Sequence, residues 1–383
     1  RQMHVSPLNG TLQTLAVDWP LSRVILDNGP PRCQAFRSEP DVPPILVSGT
    51  HRPRAAGDRR PRILALIITG ELRTLLQEQG LLDVLQFRRS IGVADTDTFV
   101  HVSRADTRTP GLEIPNGVYE TKQQVASEVQ LRRILDALGP VWHGVSDVPA
   151  APQSSRRGFM PCADPSWCAA PTSRRKVCGA RNNSSRAMCY VPASGGCFSP
   201  LCMQCDLRPF WPQFGRLLEA YAWVRRQEQL QGARYEWMIR LRTDMRGSPA
   251  RDLRPVSSWR GARSAVYARD RTIGLNHPGN APRSPGSRSL PANVMVRDDF
   301  SVVSREHSDA FFTAGLSYLG CAQRRRTEAH CGGSRRKDWA YPECVLKLHV
   351  VACVGEEHLS PHLPWRVWDE RVRFPRRGAG QRG

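Results

Sequence analysis

Lysine is nearly absent from this chain: of 55 basic residues only Lys122, Lys176, Lys337 and Lys347 are lysine, which leaves 51 arginines. A surface built for nucleic acid gathers its cations into a patch or stripe. Here a formal charge of +20 at pH 7 is spread along the chain, and the runs at 52 to 62, 174 to 176, 324 to 326 and 371 to 377 carry no aromatic-rich binding motif. Specific nucleic-acid binding is therefore not expected, and the arginine excess, with 31 Pro and 30 Gly, reads as compositional bias. Long apolar runs are also missing. The longest, Ile63 to Ile68, is far short of the roughly 18 residues that cross a bilayer. Membrane attachment is expected only through a signal or anchor upstream of residue 1. No repeat recurs at a fixed period, which excludes solenoids and propellers. The pair Cys202-Met203-Gln204-Cys205 lacks a second half-site at finger spacing, which weighs against structural zinc.

What the chain does contain is globular composition, 40% hydrophobic and 23% charged over 383 residues. Twelve cysteines are present, and seven of them (Cys162, Cys168, Cys178, Cys189, Cys197, Cys202 and Cys205) crowd into a Pro, Ser and Arg-rich stretch. Such a stretch cannot bury enough apolar surface to hold itself together, so disulfides are the simplest staple. Seven is odd, so at least one pairs outside the cluster or stays free. Asn9-Gly10-Thr11, Asn182-Asn183-Ser184 and Asn183-Ser184-Ser185 fit the N-glycosylation pattern. Together these features favour a lumenal compartment, the Golgi or the endoplasmic reticulum.

Along the chain, residues 1 to 60 read as a Pro and Arg-rich stem or loosely packed lead-in. Residues 61 to 365 read as one α/β domain, with a cysteine-rich insertion at 150 to 205 and a flexible loop or lid at 271 to 291; a basic tail follows from 366 to 383. Ile63 to Ile68, wholly apolar, is expected as a central parallel strand. From Glu71 the period becomes helical through Leu72, Leu75, Leu76, Leu82 and Leu85. Thr98 to Val102 is a second strand, and Thr121 to Leu138 a helix stopped by Gly139-Pro140. After the insertion, Phe214, Leu217, Leu218, Tyr221 and Val224 mark an amphipathic helix. Short strands are expected at 264 to 268, 293 to 296 and 298 to 303. Helices are expected over 304 to 315 and from Tyr341 to His349, the latter with Pro342 in its first turn.

The segment Tyr235 to Asp244 carries the most chemistry. It reads as a buried strand delivering charged groups to a site: Tyr235, Trp237, Ile239 and Leu241 share one face at period two, while Glu236, Met238, Arg240 and Arg242 share the other. Asp244 falls past the strand's C-terminal end, the edge where open α/β sheets bind ligands. Two guanidiniums and a carboxylate arriving there point to a phosphorylated or metal-chelated ligand. Thr69-Gly70 after the first strand allows close backbone approach, and Arg73 follows on the next helical turn.

Taken in order, Ile67 to Thr74, Asp97 to His101, Tyr235 to Asp244, Val296 to Phe300 and Pro342 to Leu346 resemble nucleotide-sugar-dependent glycosyltransferases related to lipopolysaccharide-type sugar transferases. The resemblance implies a GT-A-like, Rossmann-type, mostly parallel sheet flanked by helices. It further implies a nucleotide-diphosphate sugar as donor, often with Mn²⁺ or Mg²⁺, and a glycan, glycoprotein or glycolipid hydroxyl as acceptor. Thr69, Gly70, Arg73, Arg240 and Arg242 then become donor-binding candidates, and Asp244 the metal ligand. That family usually carries Asp-x-Asp, whereas Arg242-Thr243-Asp244 puts a cation where the first carboxylate belongs. Arg242 can itself neutralise the leaving diphosphate, which lessens the need for a metal. Asp299, Asp298 and Glu343 are the candidate bases; Asp299 as a cap and Glu343 as a first-turn acid are the plainer alternatives. A catalytically inactive binding protein of the same fold is the second reading. A sulfotransferase is a weaker third, since Glu71 puts an acid where a sulfate donor's phosphates need cations.

Overall fold

The protein is described from a computed structural model covering residues 11–17, 45–52, 62–72, 75–104, 125–145, 211–243, 255–259, 266–272, 294–315, 342–355 and 358–360. Strand β3 (Leu64–Glu71) lies between β4 (Thr96–Ser103) and β6 (Trp237–Arg242), parallel to both. Helices cover both of its faces, so no polar alternation is needed, and Leu64 through Ile68 are all fully buried. Strand β5 (Trp142–Val145) pairs parallel with the far side of β4. From β3 the chain steps outward to β4 and β5, then crosses back to place β6 on the other side of β3.

Antiparallel strands extend this parallel centre in both directions. Beyond β6 lies β8 (Val294–Ser304), then β7 (Val266–Thr272), with the short β9 (Leu359–Ser360) parallel to β7. Beyond β5 lie β2 (Ile45–His51) and β1 (Thr11–Val17). The order is β1-β2-β5-β4-β3-β6-β8-β7-β9. The segment expected as a loosely packed lead-in therefore supplies two strands of the sheet, a correction to that reading. The two short strands expected over 293 to 303 are one, β8.

Two helical layers enclose the sheet. Helices α1 (Glu78–Ile91) and α2 (Glu128–Leu138) pack Val84, Phe87, Ile91, Leu131, Ile134 and Leu138 onto Leu66, Ile68, Val100 and Ile239. On the opposite face α3 (Trp211–Gln231), α4 (Arg305–Phe312) and α5 (Pro342–Val354) cover Ala65, Ile67, Phe99, Met238 and Val303. Local chemistry sets the ends of α2. Ser127 Oγ accepts from Gln130 N at 3.2 Å while Ser127 N donates to Gln130 Oε1 at 2.9 Å, and Gly139 closes the helix at φ 50. This cap places the start of α2 at Glu128 rather than Thr121. Helix α1 likewise starts later than its leucine spacing implies, because Leu72 and Leu75 are buried in the turns that precede it.

The whole is a three-layer α/β protein with a mixed sheet. The cysteine-rich stretch 150–205 and the tail 366–383 lie outside the described residues, and of 271–291 only Arg271 and Thr272, at the end of β7, are described. Among the described residues no helix is long and apolar enough to cross a membrane.

Candidate functional site

The reversal of strand order between β3 and β6 makes their C-terminal ends a topological switch point, the kind of edge where doubly wound sheets bind ligands. Four strands deliver one row of residues to that edge. Gly144 on β5 stands beside His101 on β4, His101 beside Thr69 on β3, and Thr69 beside Arg242 on β6. The antiparallel register of β6 and β8 ends at Leu241 against Phe300, and Asp299 is the residue of β8 that adjoins this last pair.

Gly70 is held at φ 140, and a Cβ there would lie 2.3 Å from Thr243 Oγ1. Only glycine permits the resulting closure. Thr243 N donates to Thr69 O at 3.1 Å and Thr243 Oγ1 donates to Glu71 O at 2.6 Å, which ties the ends of β3 and β6 together. The close approach expected of a ligand at Gly70 is thus made by Thr243. Thr69 and Thr243 are buried, whereas Arg242 is partly exposed. Of the sequence candidates, then, Thr69, Gly70 and Arg242 meet at one edge.

Arg240 does not join them. It lies one row deeper, beside Ile67 and Ser301, and is fully buried. Met238 lies in the core formed with α3, α4 and α5, and Arg240, on the same face of β6, is buried with it, so of the two guanidiniums only Arg242 reaches the edge. Arg73 and Asp244 lie outside the described residues, as do the side chains of Asp298, Asp299 and Glu343. Glu343 occupies the first turn of α5. That helix ends at Val354, shortly before β9 joins the sheet beside Val266, so its first turn is the end farther from that junction.

Directly beneath the edge row is a polar layer that sequence reading did not single out. His101 Nδ1 stands 3.2 Å from Glu219 Oε2 of α3, with both side chains buried. The contact has the length of a hydrogen bond but not its alignment, so its contribution is electrostatic. Although the distance would suit an ion pair, burial, and then the nearby Arg216 guanidinium, hold the imidazole down to about 3, and it is neutral at physiological pH. Arg216 is buried as well. Trp142 packs edge-on against His101 with centroids 5.6 Å apart. Gly144 makes room for both rings, since a Cβ there would meet Trp142 at 2.8 Å and His101 at 3.2 Å. The sequence carried one faint signal of this layer: Arg216 and Glu219 interrupt an otherwise apolar run from Phe214 to Val224.

A second polar cluster sits at the opposite edge, where α3 hands over to β6. Arg305 grips Glu228 with Nε and Nη2 at 2.9 and 3.1 Å, and its Nη1 reaches Asp309 at 3.3 Å. Arg225 adds contacts to Glu228 at 3.2 Å and Asp309 at 3.6 Å. Tyr221 donates to Asp309, and burial with the Asp309 charge raises its pKa well above the usual phenol value. Burial pushes the Glu228 carboxyl up to about 7 against the pull of Arg225, and the bidentate grip of Arg305 opposes that rise.

Chemically, the described groups at this edge are two buried threonine hydroxyls, the Glu71 carboxylate and the Arg242 guanidinium; among them Arg242 is the group that attracts an anion, and the set does not by itself ligate a metal. Among the described residues no group of three or more His, Cys, Asp or Glu is placed to hold one. Cys353, on α5, is disulfide-bonded. No family model, curated protein or solved structure matches the chain. The class established by the fold is an α/β protein with a mixed sheet, parallel at its centre, and Arg242 stands at its topological switch point.

Proposed function

We propose that this chain is a glycosyltransferase of GT-A type, moving a sugar from a nucleotide-diphosphate sugar to an acceptor hydroxyl of a glycan, glycoprotein or glycolipid. The observation that carries the reading is the row Thr69–Arg242 at the crossover between β3 and β6, with Asp299 adjoining the last pair of β6 and β8. In this reading Arg242 stabilises the negative charge that develops on the diphosphate as the bond from sugar C1 to the phosphate oxygen breaks. The acceptor oxygen forms the new bond to C1, and its proton passes to a carboxylate supplied by Asp299, Asp298 or Glu343. Asp244, directly after Thr243, would hold Mn²⁺ or Mg²⁺ and so add charge neutralisation beside Arg242. The disulfide at Cys353 supports a lumenal, oxidising compartment in the secretory pathway.

The position of Arg242 also favours a second reading, a binding protein that keeps the donor site and lacks turnover. A screen of nucleotide sugars for binding and hydrolysis, with and without Mn²⁺, separates the two. The parent, Arg242→Ala and Asp244→Ala are compared. A transferase selects one nucleotide and loses ~100-fold or more in turnover in Arg242→Ala. Binding without turnover for every acceptor tried supports the second reading, and a parent that binds no nucleotide sugar defeats both.

A further inference from the structure

Any diphosphate held at the switch-point edge depends on how β3, β4 and β6 are levelled against one another, and the polar layer under that edge is placed to set this level. His101 is the register neighbour of Thr69, which is the register neighbour of Arg242. Glu219 and Arg216 come from α3, the helix that runs straight into β6. The contact between Glu219 and His101 therefore ties the element that delivers Arg242 to the strand two places away, across Thr69. Burial makes this contact costly to break, since displacing α3 from β4 would strip a carboxylate and an imidazole of each other in a medium that hydrates neither.

We infer that His101, Glu219 and Arg216 form a positioning set for a diphosphate-bearing ligand, fixing the relative height of Thr69 and Arg242 from below without touching the ligand. The inference deepens the donor-site reading given above, but concerns only the diphosphate group and stands or falls separately from sugar transfer. Its chemistry differs from simple packing in one respect. The groups behind the edge are polar and matched, so a side chain that keeps the polar contact should preserve the edge even when it fills less space.

The test titrates inorganic pyrophosphate, and then a panel of nucleoside diphosphates, into the full chain and its variants by calorimetry, with melting temperatures recorded in parallel. Parent protein binds pyrophosphate and Arg242→Ala does not. His101→Leu, which keeps bulk and loses the polar contact, binds about tenfold or more weakly, as expected when a supporting group is lost and the ligand edge shifts by a fraction of an ångström. His101→Asn has an amide nitrogen near the position of Nδ1 and recovers most of the affinity, although its smaller side chain packs less well. Glu219→Gln, which keeps the shape of the side chain but not its charge, falls between parent and His101→Leu. The inference is overturned if the parent does not bind pyrophosphate, if Arg242→Ala still binds it, or if His101→Asn is no better than His101→Leu and both losses follow melting temperature. Pyrophosphate binding with this rank order, but no binding of any nucleotide sugar, sustains the positioning set and sinks the transferase reading.

Discussion

The two edges of the parallel centre use buried charge in opposite ways. At the edge where α3 enters β6, two carboxylates, Glu228 and Asp309, meet two guanidiniums, Arg225 and Arg305, with Tyr221 and Ser308 filling the remaining valences. The charged members pair with one another across α3 and α4, and the cluster works as a clasp. At the C-terminal edge the residues are laid out in a row across four strands, not in a knot, and Arg242 is partly exposed. A closed network resists change at its own place. A row at a crossover presents charge outward, and that difference separates a structural cluster from a candidate site more sharply than the number of charges does.

The strongest way to break the comparison is to open the clasp. Arg305→Ala leaves Glu228 buried without its bidentate partner, and urea denaturation should show a loss of about 3–5 kcal/mol. Replacing both residues with apolar ones of similar size, Glu228→Leu with Arg305→Met, should restore most of that stability, because no buried charge is then stranded. If the double variant is as unstable as the single one, the cluster does more than hold α3 to α4.

A smaller effect is expected at the switch point. Gly70→Ala forces a Cβ against Thr243 Oγ1 at a backbone angle that other residues rarely adopt, at a cost of about 1–3 kcal/mol in the same denaturation assay. Unlike Arg305→Ala, it should also weaken pyrophosphate binding, since the strand ends that carry Thr69 and Arg242 must part. Equal affinity in the variant would show that the edge tolerates such a shift.

The smallest effect is a pH slope. In the fold His101 and His349 are kept neutral down to about 3 and about 4, chiefly by burial, while the unfolded chain takes up those protons near 6.5. Between these limits the unfolded state binds more protons, so stability is complete above the unfolded value and falls as pH drops. Glu228 acts in the other direction from about 7 downward, since its folded carboxyl takes up a proton before the unfolded one does. The net expectation is a loss of about 1 kcal/mol per pH unit between pH 6 and 4.5, read from denaturation midpoints. A flat profile would mean that His101 and His349 are protonated in the fold.

Much of this architecture was legible in the residues. Ile63 to Ile68 could only be a strand covered on both faces, and Gly139-Pro140 stopped α2 where the spacing placed it. The leucines after Glu71 announced a helix but not its start, because Leu72 and Leu75 are buried by turns that share the same spacing. Strand β5 escaped notice. It is four residues long, Trp142-His143-Gly144-Val145, with a glycine inside, and its partners are all distant in sequence. Strands β1 and β2 hid within a Pro and Arg-rich stretch whose composition says nothing about long-range pairing. At the site, period two placed Arg240 and Arg242 on one face correctly. It could not say that the helices packed on that face would bury the first and leave the second at the rim. His101 was read as part of a motif and not as a functional group, since only the register sets it beside Thr69.

One consequence of the topology concerns how such a protein can change. Strand β5 ends at Val145, beside Val102 near the working edge of the sheet, and α3 begins at Trp211 before descending to β6. All 65 residues between them are thus attached where the parallel strands finish. Lengthening, trimming or exchanging that segment leaves every strand with the neighbours it has. The same sheet could therefore be kept while the surroundings of its switch point are rewritten, and partner choice could evolve apart from the fold.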